Sequence, residues 1–359
     1  MNIQQLEQLL KGKSVKQKAI TVRNAVSTGS TLLNLACTDN PFCGFVKGGY
    51  YFLVGDSSSG KTFLSLTCLA EAARSAVFRK YRFIYDNSEN GAHMSVEKFF
   101  GKRVAKRLEA PAMKDGQPVF SGSIEEFYYH VDDAIKADQP FIYILDSMDS
   151  LTSSDEQAKF DEHKDAHRKG KTAAGSYGDG KAKKNSANLR RLITPLERSG
   201  SILIIINQTR DNLGFGFEKK TRSGGNSLKF YASLEMWSSV KGRIHKTVRG
   251  KKRQIGIDCK IQLKKNRMSG KERTITFPIY HSYGIDDIGG CIDYLIDEGH
   301  WSKKGNTILA KEFKIKGTRD KLIKTIETNG DEKALRTIVG EVWNEIEEAC
   351  ALKRKKRYE

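Results

Sequence analysis

Short apolar runs separated by segments of helical periodicity dominate the first two thirds of the chain. Runs of four to eight apolar residues bounded by turn-forming residues are typical of strands buried on both faces. Such runs predict strands at residues 50–54, 81–86, 141–146 and 201–206. Residues 63–76 carry leucine and alanine at helical spacing, with no proline or glycine. This alternation of strand and helix predicts an α/β fold with a parallel sheet.

The pattern changes further along the chain. Three more strands are predicted, and a dense basic segment between the first two is expected to form a hairpin loop. These strands cover residues 228–240, 256–264 and 273–279. From about residue 285 the apolar positions have helical spacing and predict a small, mainly helical unit. The expected domains are a leader with one short amphipathic helix for oligomerisation (1–30), an α/β core (31–284), a small C-terminal domain (285–352) and a basic tail (353–359).

Two long connections interrupt the α/β pattern, and connections of this length are usually functional or disordered. The first, residues 152–186, is rich in lysine, glycine and aspartate. The second, residues 211–226, combines glycine, phenylalanine and three cations. Glycine permits close approach of a backbone, cations pair with phosphates, and aromatic rings stack on bases. The second connection therefore indicates a polynucleotide contact, with a plain solvated loop as the alternative.

Residues 55–62 (GDSSSGKT) fit the phosphate-binding loop G-x-x-x-x-G-K-[ST], and they lie between a predicted strand and a predicted helix. Inward-pointing backbone N–H groups of such a loop form an anion-binding nest, to which the helix N-terminus adds partial positive charge. Lys61 is expected on the outer phosphates and the Thr62 hydroxyl on Mg²⁺. The predicted nucleotide contacts are Gly55, Asp56, Ser57, Ser58, Ser59, Gly60, Lys61 and Thr62.

Polar residues end three of the predicted strands, where α/β proteins bind their ligands. Asp146 ends an apolar strand and is expected to hold Mg²⁺ directly or through water. Glu89 follows the strand at 81–86 and is placed to polarise an attacking water, although an ordinary loop acid is the alternative. Gln208 is placed to contact a terminal phosphate. The cofactors predicted from these residues are ATP and Mg²⁺.

The charge and composition narrow the class of partner. The chain has 62 Lys plus Arg and 43 Asp plus Glu, a net charge of +19, which favours a polyanion such as nucleic acid or an acidic membrane surface. No apolar run is long enough to span a bilayer, and the first residues lack a secretory core. The six cysteines contain no C-x-x-C pair and are expected to be reduced. These features predict a cytoplasmic protein (host cytoplasm if phage-encoded) with no membrane partner.

Three stretches together resemble the RecA-type homologous recombinases, including those of bacteriophages. They are the phosphate loop, residues 205–210 (IINQTR) and residues 221–233 (TRSGGNSLKFYAS), the last being the most specific. The similarity covers roughly residues 28–301. It implies a RecA-like P-loop NTPase core with a twisted, largely parallel sheet, a short N-terminal helical segment and a small α-rich C-terminal domain.

The resemblance also implies roles for individual residues. Glu89 would activate water, Asp146 would be the Walker B acid, and Gln208 would couple ATP to the second DNA loop. Lys265 and Arg267 would reach the ATP of the adjacent subunit, so the catalytic set is Glu89, Lys61, Gln208, Lys265 and Arg267. The first DNA loop would fall near residues 178–186. The expected DNA contacts are Lys183, Lys184, Lys219, Lys220, Arg222, Gly224, Gly225 and Asn226.

The function that these observations favour is a DNA-dependent ATPase that forms a helical filament on single-stranded DNA. It would promote pairing and strand exchange with a homologous duplex, so its partners would be single- and double-stranded DNA and further copies of itself. A single-strand-binding or mediator protein is left open as another partner. The main alternative is a RecA-like paralogue or mediator that binds DNA or a partner recombinase without strand exchange. A RecA-core helicase or packaging motor lacks support, because no helicase motif set is evident.

Overall fold

The computed structural model describes residues 19–89, 94–169, 180–211, 220–222 and 224–355, and every structural statement below concerns these ranges. The predicted N-terminal helix, Lys219 and the end of the basic tail lie outside them. The strands are β1 (Ala25–Val26), β2 (Phe45–Val46), β3 (Tyr50–Gly55), β4 (Arg82–Asp86), β5 (Leu108–Glu109), β6 (Ala112–Lys114), β7 (Gln117–Val119), β8 (Phe141–Leu145), β9 (Ile202–Asp211), β10 (Lys220–Arg222), β11 (Leu234–Val248), β12 (Lys251–Asn266), β13 (Thr274–Tyr280), β14 (Gly284–Ile285), β15 (Ser302–Lys304), β16 (Thr307–Ala310) and β17 (Ile315–Gly317).

The helices follow the helical periodicity of the sequence in most of the chain. Single 3-10 turns lie at Ala76–Phe78 and Met148–Ser150. The α-helices are α1 (Thr31–Thr38), α2 (Lys61–Arg74), α3 (Val96–Phe100), α4 (Lys102–Arg107), α5 (Ile124–Lys136), α6 (Ser154–Arg168), α7 (Gly180–Ser199), α8 (Asn226–Tyr231), α9 (Asp287–Asp297), α10 (Arg319–Asn329) and α11 (Glu332–Ala349).

A ten-stranded mixed sheet forms the centre of the fold, in the order β14-β13-β12-β11-β3-β9-β8-β4-β5, with β10 paired to β9. The strands from β11 to β5 run parallel to one another, whereas β12, β13 and β14 extend the sheet by antiparallel pairing. The α/β RecA-like fold with a largely parallel core is therefore confirmed. Because the parallel strands share one direction, β3, β4, β8 and β9 all end at the same edge of the sheet.

Both faces of the sheet are buried, which explains why the central strands are apolar without alternation. Tyr51 and Leu53 of β3 face a core that includes helices α1, α2 and α9. Tyr50, Phe52 and Val54 face the opposite core, to which α5 and α7 contribute. This two-sided packing leaves only the strand ends free to present polar side chains.

The C-terminal part is joined to the same core. A three-stranded antiparallel sheet, β15-β16-β17, lies among helices α9 to α11, so this part is less purely helical than the apolar spacing predicts. The carboxylate of Asp287 at the start of α9 accepts hydrogen bonds from the backbone N–H (2.6 Å) and the hydroxyl (2.8 Å) of Thr31. It also pairs with Arg336 of α11 at 3.0 Å. One largely buried acid thus links α1, α9 and α11.

Two local predictions are wrong, and a third segment is more regular than a long loop. Residues 226–231 form helix α8, so the strand predicted from residue 228 begins only at Leu234. The basic segment after residue 240 is not a loop, because β11 and β12 continue through it as a long hairpin. Much of the connection at 152–186 is helical, in α6 and the start of α7.

Candidate functional site

The phosphate loop lies where β3 ends and α2 begins. Gly55, the last residue of β3, is paired in register with Ser238 of β11 on one side and Gln208 of β9 on the other. A Cβ atom at Gly55 would lie 2.3 Å from the Ser238 carbonyl oxygen, so only glycine fits there. Gly60 caps α2 with φ of 93°, a left-handed conformation that favours glycine. The two glycines of the motif are therefore required by the backbone.

The three serines of the loop differ in environment. Ser57 and Ser58 are exposed, whereas Ser59 is buried. The Ser59 hydroxyl donates to the Asp56 carbonyl (2.7 Å), and its own carbonyl accepts from the Ser238 hydroxyl (2.7 Å). Ser59 therefore links the phosphate loop to β11 through a hydrogen bond with Ser238.

Lys61 is buried at the start of α2. Its Nζ donates to the carbonyl oxygens of Gly55 (2.8 Å) and Asp56 (2.6 Å) across the loop. Burial lowers the pKa of Lys61, and the negative charges of Asp146 and Glu89 oppose that shift. A partly desolvated ammonium enclosed by the loop is well suited to bind phosphate oxygens.

Thr62 and Asp146 form the candidate magnesium site. The Thr62 hydroxyl donates to Asp146 Oδ2 (2.7 Å), and the Tyr85 hydroxyl donates to the same oxygen (3.0 Å). Burial raises the pKa of Asp146, and these two hydrogen bonds oppose the rise. A hydroxyl and a carboxylate converging beside a phosphate loop are the hard oxygen donors that Mg²⁺ prefers. The residues present therefore fit the ion.

Glu89 connects the ends of three neighbouring strands. Its backbone N–H donates to the Asp146 carbonyl (3.1 Å), next to the end of β8. Its carboxylate accepts a hydrogen bond from Gln208 of β9 (3.0 Å) and another from the Ser147 hydroxyl. The structure thus brings Glu89, Asp146 and Gln208 together.

Asp56 links the phosphate loop to the base of the second long connection. Its carboxylate accepts hydrogen bonds from the Thr209 hydroxyl on β9 and from Lys220 on β10. Burial would raise the pKa of Asp56, but the hydrogen bonds from Lys220 and Thr209 outweigh it and the pKa is lowered. An acid within the loop is visible in the sequence, but its partners are not.

The polar end of β9 contributes more residues to the site than the sequence indicates. Residues 207–211 belong to the strand itself, and β10 pairs with them in antiparallel register. Arg210 of this extension forms an ion pair with Asp149 (2.9 Å). Sequence reasoning misses Thr209, Ser147 and Tyr85, because a hydroxyl at a strand end carries no distinctive pattern.

The predicted DNA contacts fall into two groups. Lys183 is exposed on α7, Lys220 and Arg222 are on β10, and Asn226 begins α8. Lys184 instead pairs with Glu125 of α5 and with Asp155 of α6 (3.1 Å). This lysine is therefore already neutralised by two acids of its own chain.

Gly224 and Gly225 pack against α7. Both have positive φ (83° and 82°), and the Gly224 carbonyl accepts a hydrogen bond from Asn185 (3.0 Å). A Cβ atom at Gly225 would lie 2.4 Å from the Ala182 Cβ atom. The two glycines thus allow α8 to begin close against α7.

Lys265 and Arg267 lie at the opposite edge of the sheet from their own phosphate loop. In the antiparallel register of β11 and β12, Lys265 lies opposite Glu235, near the start of β11. The start of β11 is in turn aligned with the start of β3. Lys265 donates to the carbonyls of Lys229 (2.7 Å) and Phe230 (2.6 Å) near the end of α8, and Arg267 donates to Phe230 (2.7 Å). Burial and the nearby Arg267 lower the pKa of Lys265 to about 8. The sheet register therefore separates these cations from the pocket of their own chain.

Comparison with known proteins agrees with this geometry. A family model described as the RecA N-terminal domain matches residues 141–286. A protein named RecA from Cytophaga hutchinsonii is 28% identical over 302 residues, covering 82% of this chain and 75% of that protein. RecA of Caulobacter vibrioides is 26% identical over 322 residues, covering 87% of this chain and 80% of that protein. Within the described residues, no helix is both long and apolar enough to cross a membrane.

Proposed function

We propose that this chain, which shares the RecA-like fold and sequence similarity with the RecA family, is an ATP-dependent recombinase. It assembles on single-stranded DNA and promotes homologous pairing and strand exchange with duplex DNA. The observation that carries the proposal is the hydrogen bond from Gln208 to Glu89. It joins the candidate water-activating acid to β9, the strand that continues directly into the second long connection.

Hydrolysis follows from the placement of five side chains. Lys61 binds the outer phosphates of ATP, and Thr62 with Asp146 holds Mg²⁺, which when bound neutralises phosphate charge. Glu89 lies beyond the loop, where its carboxylate accepts a hydrogen bond from the attacking water and orients it. The Gln208 amide donates a hydrogen bond to the same carboxylate. If that amide instead contacted the terminal phosphate, the Glu89 carboxylate would be free to accept the hydrogen bond from the water.

Assembly completes the pocket. Charge develops on the transferred phosphoryl group and is stabilised by nearby cations. Lys265 and Arg267 lie at the far edge of the sheet, away from their own pocket, and we infer that they reach the pocket of a neighbour. A repeating head-to-tail contact of this kind is heterologous and generates a filament when it does not close into a ring.

DNA contact is proposed for the second connection and its flanks. Lys220 and Arg222 lie on β10, which is bonded to the polar extension of β9. When phosphates compete for Lys220, Asp56 of the phosphate loop loses its ion-pair partner. DNA binding therefore changes the electrostatics of the nucleotide pocket through one residue.

The test is a comparison of wild type with Lys61→Ala. We expect the variant to keep its circular dichroism spectrum and urea midpoint, because the Lys61 ammonium donates only to two loop carbonyls. Its ATP turnover should fall by roughly two orders of magnitude or more, on the order of the loss of a charge stabiliser. Normal turnover would refute the site. A strand-exchange assay on the wild type then separates the recombinase from a paralogue or mediator, which would bind DNA without exchanging strands.

A further inference from the structure

Two neighbouring strands, β4 and β8, each carry a tyrosine that bonds the acid at the end of the other strand. The strands are paired in parallel register; Asp86 ends β4, and Asp146 directly follows β8. The Tyr85 hydroxyl of β4 donates to Asp146 (3.0 Å), and the Tyr143 hydroxyl of β8 donates to Asp86 (2.7 Å). The two pairs lie on opposite faces of the sheet, because Tyr85 and Tyr143 belong to different cores. They can therefore be compared directly.

The pair formed by Tyr143 and Asp86 is closed on every side. Asp86 is fully buried, and its Oδ1 accepts a hydrogen bond from the backbone N–H of Ser121 (2.9 Å). Its Oδ2 accepts hydrogen bonds from the hydroxyls of Ser121 (2.6 Å) and Tyr143. Both carboxylate oxygens are thus bonded to groups of this chain. The general requirement that buried polar groups be hydrogen-bonded accounts for this pair.

The pair formed by Tyr85 and Asp146 is open on one side. Both donors to Asp146, the hydroxyls of Thr62 (2.7 Å) and Tyr85, bond the same oxygen, Oδ2. Within the part of the chain that the structure describes, Oδ1 of Asp146 accepts no hydrogen bond and joins no ion pair. One oxygen is therefore held in place, and the other is left for Mg²⁺ or for a water bound to it.

Tyr85 holds the Asp146 carboxylate independently of the nucleotide. The backbone of Asp146 is already fixed, because its N–H donates to the Asp86 carbonyl (2.9 Å) and its carbonyl accepts from the Glu89 N–H (3.1 Å). What remains free is rotation of the side chain. Thr62 lies beside the phosphate loop and is expected to bind the ion, whereas the Tyr85 ring is fixed in the core with only 6% of its surface exposed.

We propose that Tyr85 is a positioning residue of the magnesium site, which acts through Asp146 to set the affinity of the site for the metal. This inference rests on the proposed function, because it concerns the metal that accompanies ATP. Removing a hydrogen-bond partner that orients a metal ligand typically weakens metal binding by roughly 10- to 100-fold. Because Thr62 still bonds the same oxygen of Asp146, the lower end of that range applies.

The experiment compares Tyr85→Phe with Tyr143→Phe in the full chain. Each variant removes one buried hydroxyl from a tyrosine–aspartate pair of the same two strands and keeps the ring in its core. Mn²⁺ is the probe, and its binding to the complex of each protein with a non-hydrolysable ATP analogue is measured by electron paramagnetic resonance. Affinity for the analogue in EDTA, urea midpoints and the Mg²⁺ dependence of ATP turnover are measured alongside.

We expect Tyr85→Phe to bind Mn²⁺ roughly tenfold more weakly than wild type and to need correspondingly more Mg²⁺ for half-maximal turnover. At saturating Mg²⁺ its kcat should stay within about twofold of wild type, because the hydroxyl contributes to metal binding and not to the chemical step. Its affinity for the analogue in EDTA should be unchanged. Tyr143→Phe should bind Mn²⁺ as wild type does, although both variants should have lower urea midpoints, since each deprives a buried carboxylate of a donor.

Three outcomes would overturn the inference. Wild-type Mn²⁺ affinity in Tyr85→Phe would remove Tyr85 from the metal site. Equal weakening in both variants would assign the effect to a general loosening of β4 and β8. Loss of affinity for the analogue in EDTA would mean that the phosphate loop itself is disturbed. If wild type binds no Mn²⁺ with the analogue and hydrolyses no ATP, the proposed function fails, and that result is distinct from a failure at Tyr85 alone.

Discussion

At the scale of single residues, the environment of Lys265 lowers the pH at which its side chain loses its positive charge. Burial is the largest cause of its lowered pKa of about 8, and the positive charge of Arg267 adds to it. Its ammonium is held by two carbonyl oxygens near the end of α8. The proposed task of this residue, to meet the phosphates of a neighbour, requires the charged form.

We expect DNA-stimulated ATP turnover to fall as pH rises above about 8, because Lys265 loses its proton there. An unfolded lysine stays charged to about pH 10.4, so the folded protein binds fewer protons than the unfolded chain between these values, and its stability should rise slightly with pH. A decline of turnover in this window is therefore not caused by unfolding at this residue. Turnover is measured at saturating ATP and DNA from about pH 7 to 10, a range that spans both pKa values, with urea midpoints alongside.

The control for this profile is Lys265→Arg, whose guanidinium stays charged throughout the range. The decline should disappear in this variant and persist in Lys260→Arg, which changes a lysine on the same strand. A decline that persists in Lys265→Arg would assign the alkaline effect to another group.

At the scale of elements, α8 joins two parts of the proposed site. The first turn of α8 follows Gly225, which packs on α7 beside the proposed DNA-contacting segments. The last turn of α8 accepts hydrogen bonds from Lys265 and Arg267 at its backbone carbonyls. A helix of six residues acts as a rigid spacer over so short a distance. Movement of the second connection would therefore be passed to the cations that are proposed to face the neighbouring subunit.

Gly225→Ala tests the packing between α7 and α8. A methyl group there would meet Ala182 at 2.4 Å, so both backbone strain and overpacking are expected. Gly116→Ala is the matched control, since Gly116 also has positive φ (74°) but no atom lies within 4 Å of its added Cβ. The control should lose about 1 kcal/mol of unfolding free energy from strain alone. Gly225→Ala should lose about 1–3 kcal/mol more, together with single-strand affinity.

Urea denaturation and single-strand titration measure both effects. Equal destabilisation of the two variants would mean that α7 yields without cost, and an unchanged single-strand affinity of Gly225→Ala would mean that its packing against α8 is not needed for DNA binding.

The parts of this fold that the sequence predicts are those with a burial pattern. Strands β3, β4 and β8 are buried on both faces, so their apolar runs mark them almost to the residue. Residues 241–255 of the β11–β12 hairpin have no such pattern, because they pair only within the hairpin and bury little, so the cations among them suggest a loop. Helix α6 has no buried residue at all, and it therefore lacks apolar periodicity.

The same reasoning explains which parts of the site can be predicted from the sequence and which cannot. The phosphate loop is local in sequence, so its residues can be identified together. The partners of Asp56 come from β9 and β10, more than a hundred residues away, and depend on sheet order. The placement of Lys265 at the far edge depends on the register between β11 and β12, which no periodicity reveals.

At the scale of the whole molecule, the two halves of the proposed catalytic machinery lie at opposite edges of one sheet. Lys61 and Glu89 are at the edge where the parallel strands end, and Lys265 and Arg267 are at the edge where they begin. A single copy cannot bring these groups together without breaking the sheet. The proposed unit of activity is therefore an interface between copies.

Mixing two inactive variants tests that statement. Lys61→Ala lacks the pocket lysine but keeps both outward cations, whereas a Lys265→Ala, Arg267→Ala double variant keeps the pocket but lacks the cations. Each should be inactive alone. Combined on single-stranded DNA, they should recover a fraction of wild-type turnover, because some pockets of the second variant will be completed by cations of the first.

The control mixes each variant with an equal amount of a chain that carries all three substitutions. Neither of these mixtures should recover ATP turnover. Absence of recovery in the first mixture, with both variants folded and bound to DNA, would mean that Lys265 and Arg267 do not complete the pocket of a neighbouring copy.

The hydrogen bond between Gln208 and Glu89 has a thermodynamic consequence for the cell. If a polynucleotide shifts this amide and thereby strengthens nucleotide affinity by some factor, the nucleotide must strengthen polynucleotide affinity by the same factor, because the two binding events close one cycle. Under the proposed function, the supply of triphosphate would then set how long the protein remains on DNA. In that proposal, nucleotide supply and retention on DNA are coupled through the 3.0 Å hydrogen bond between Gln208 and Glu89.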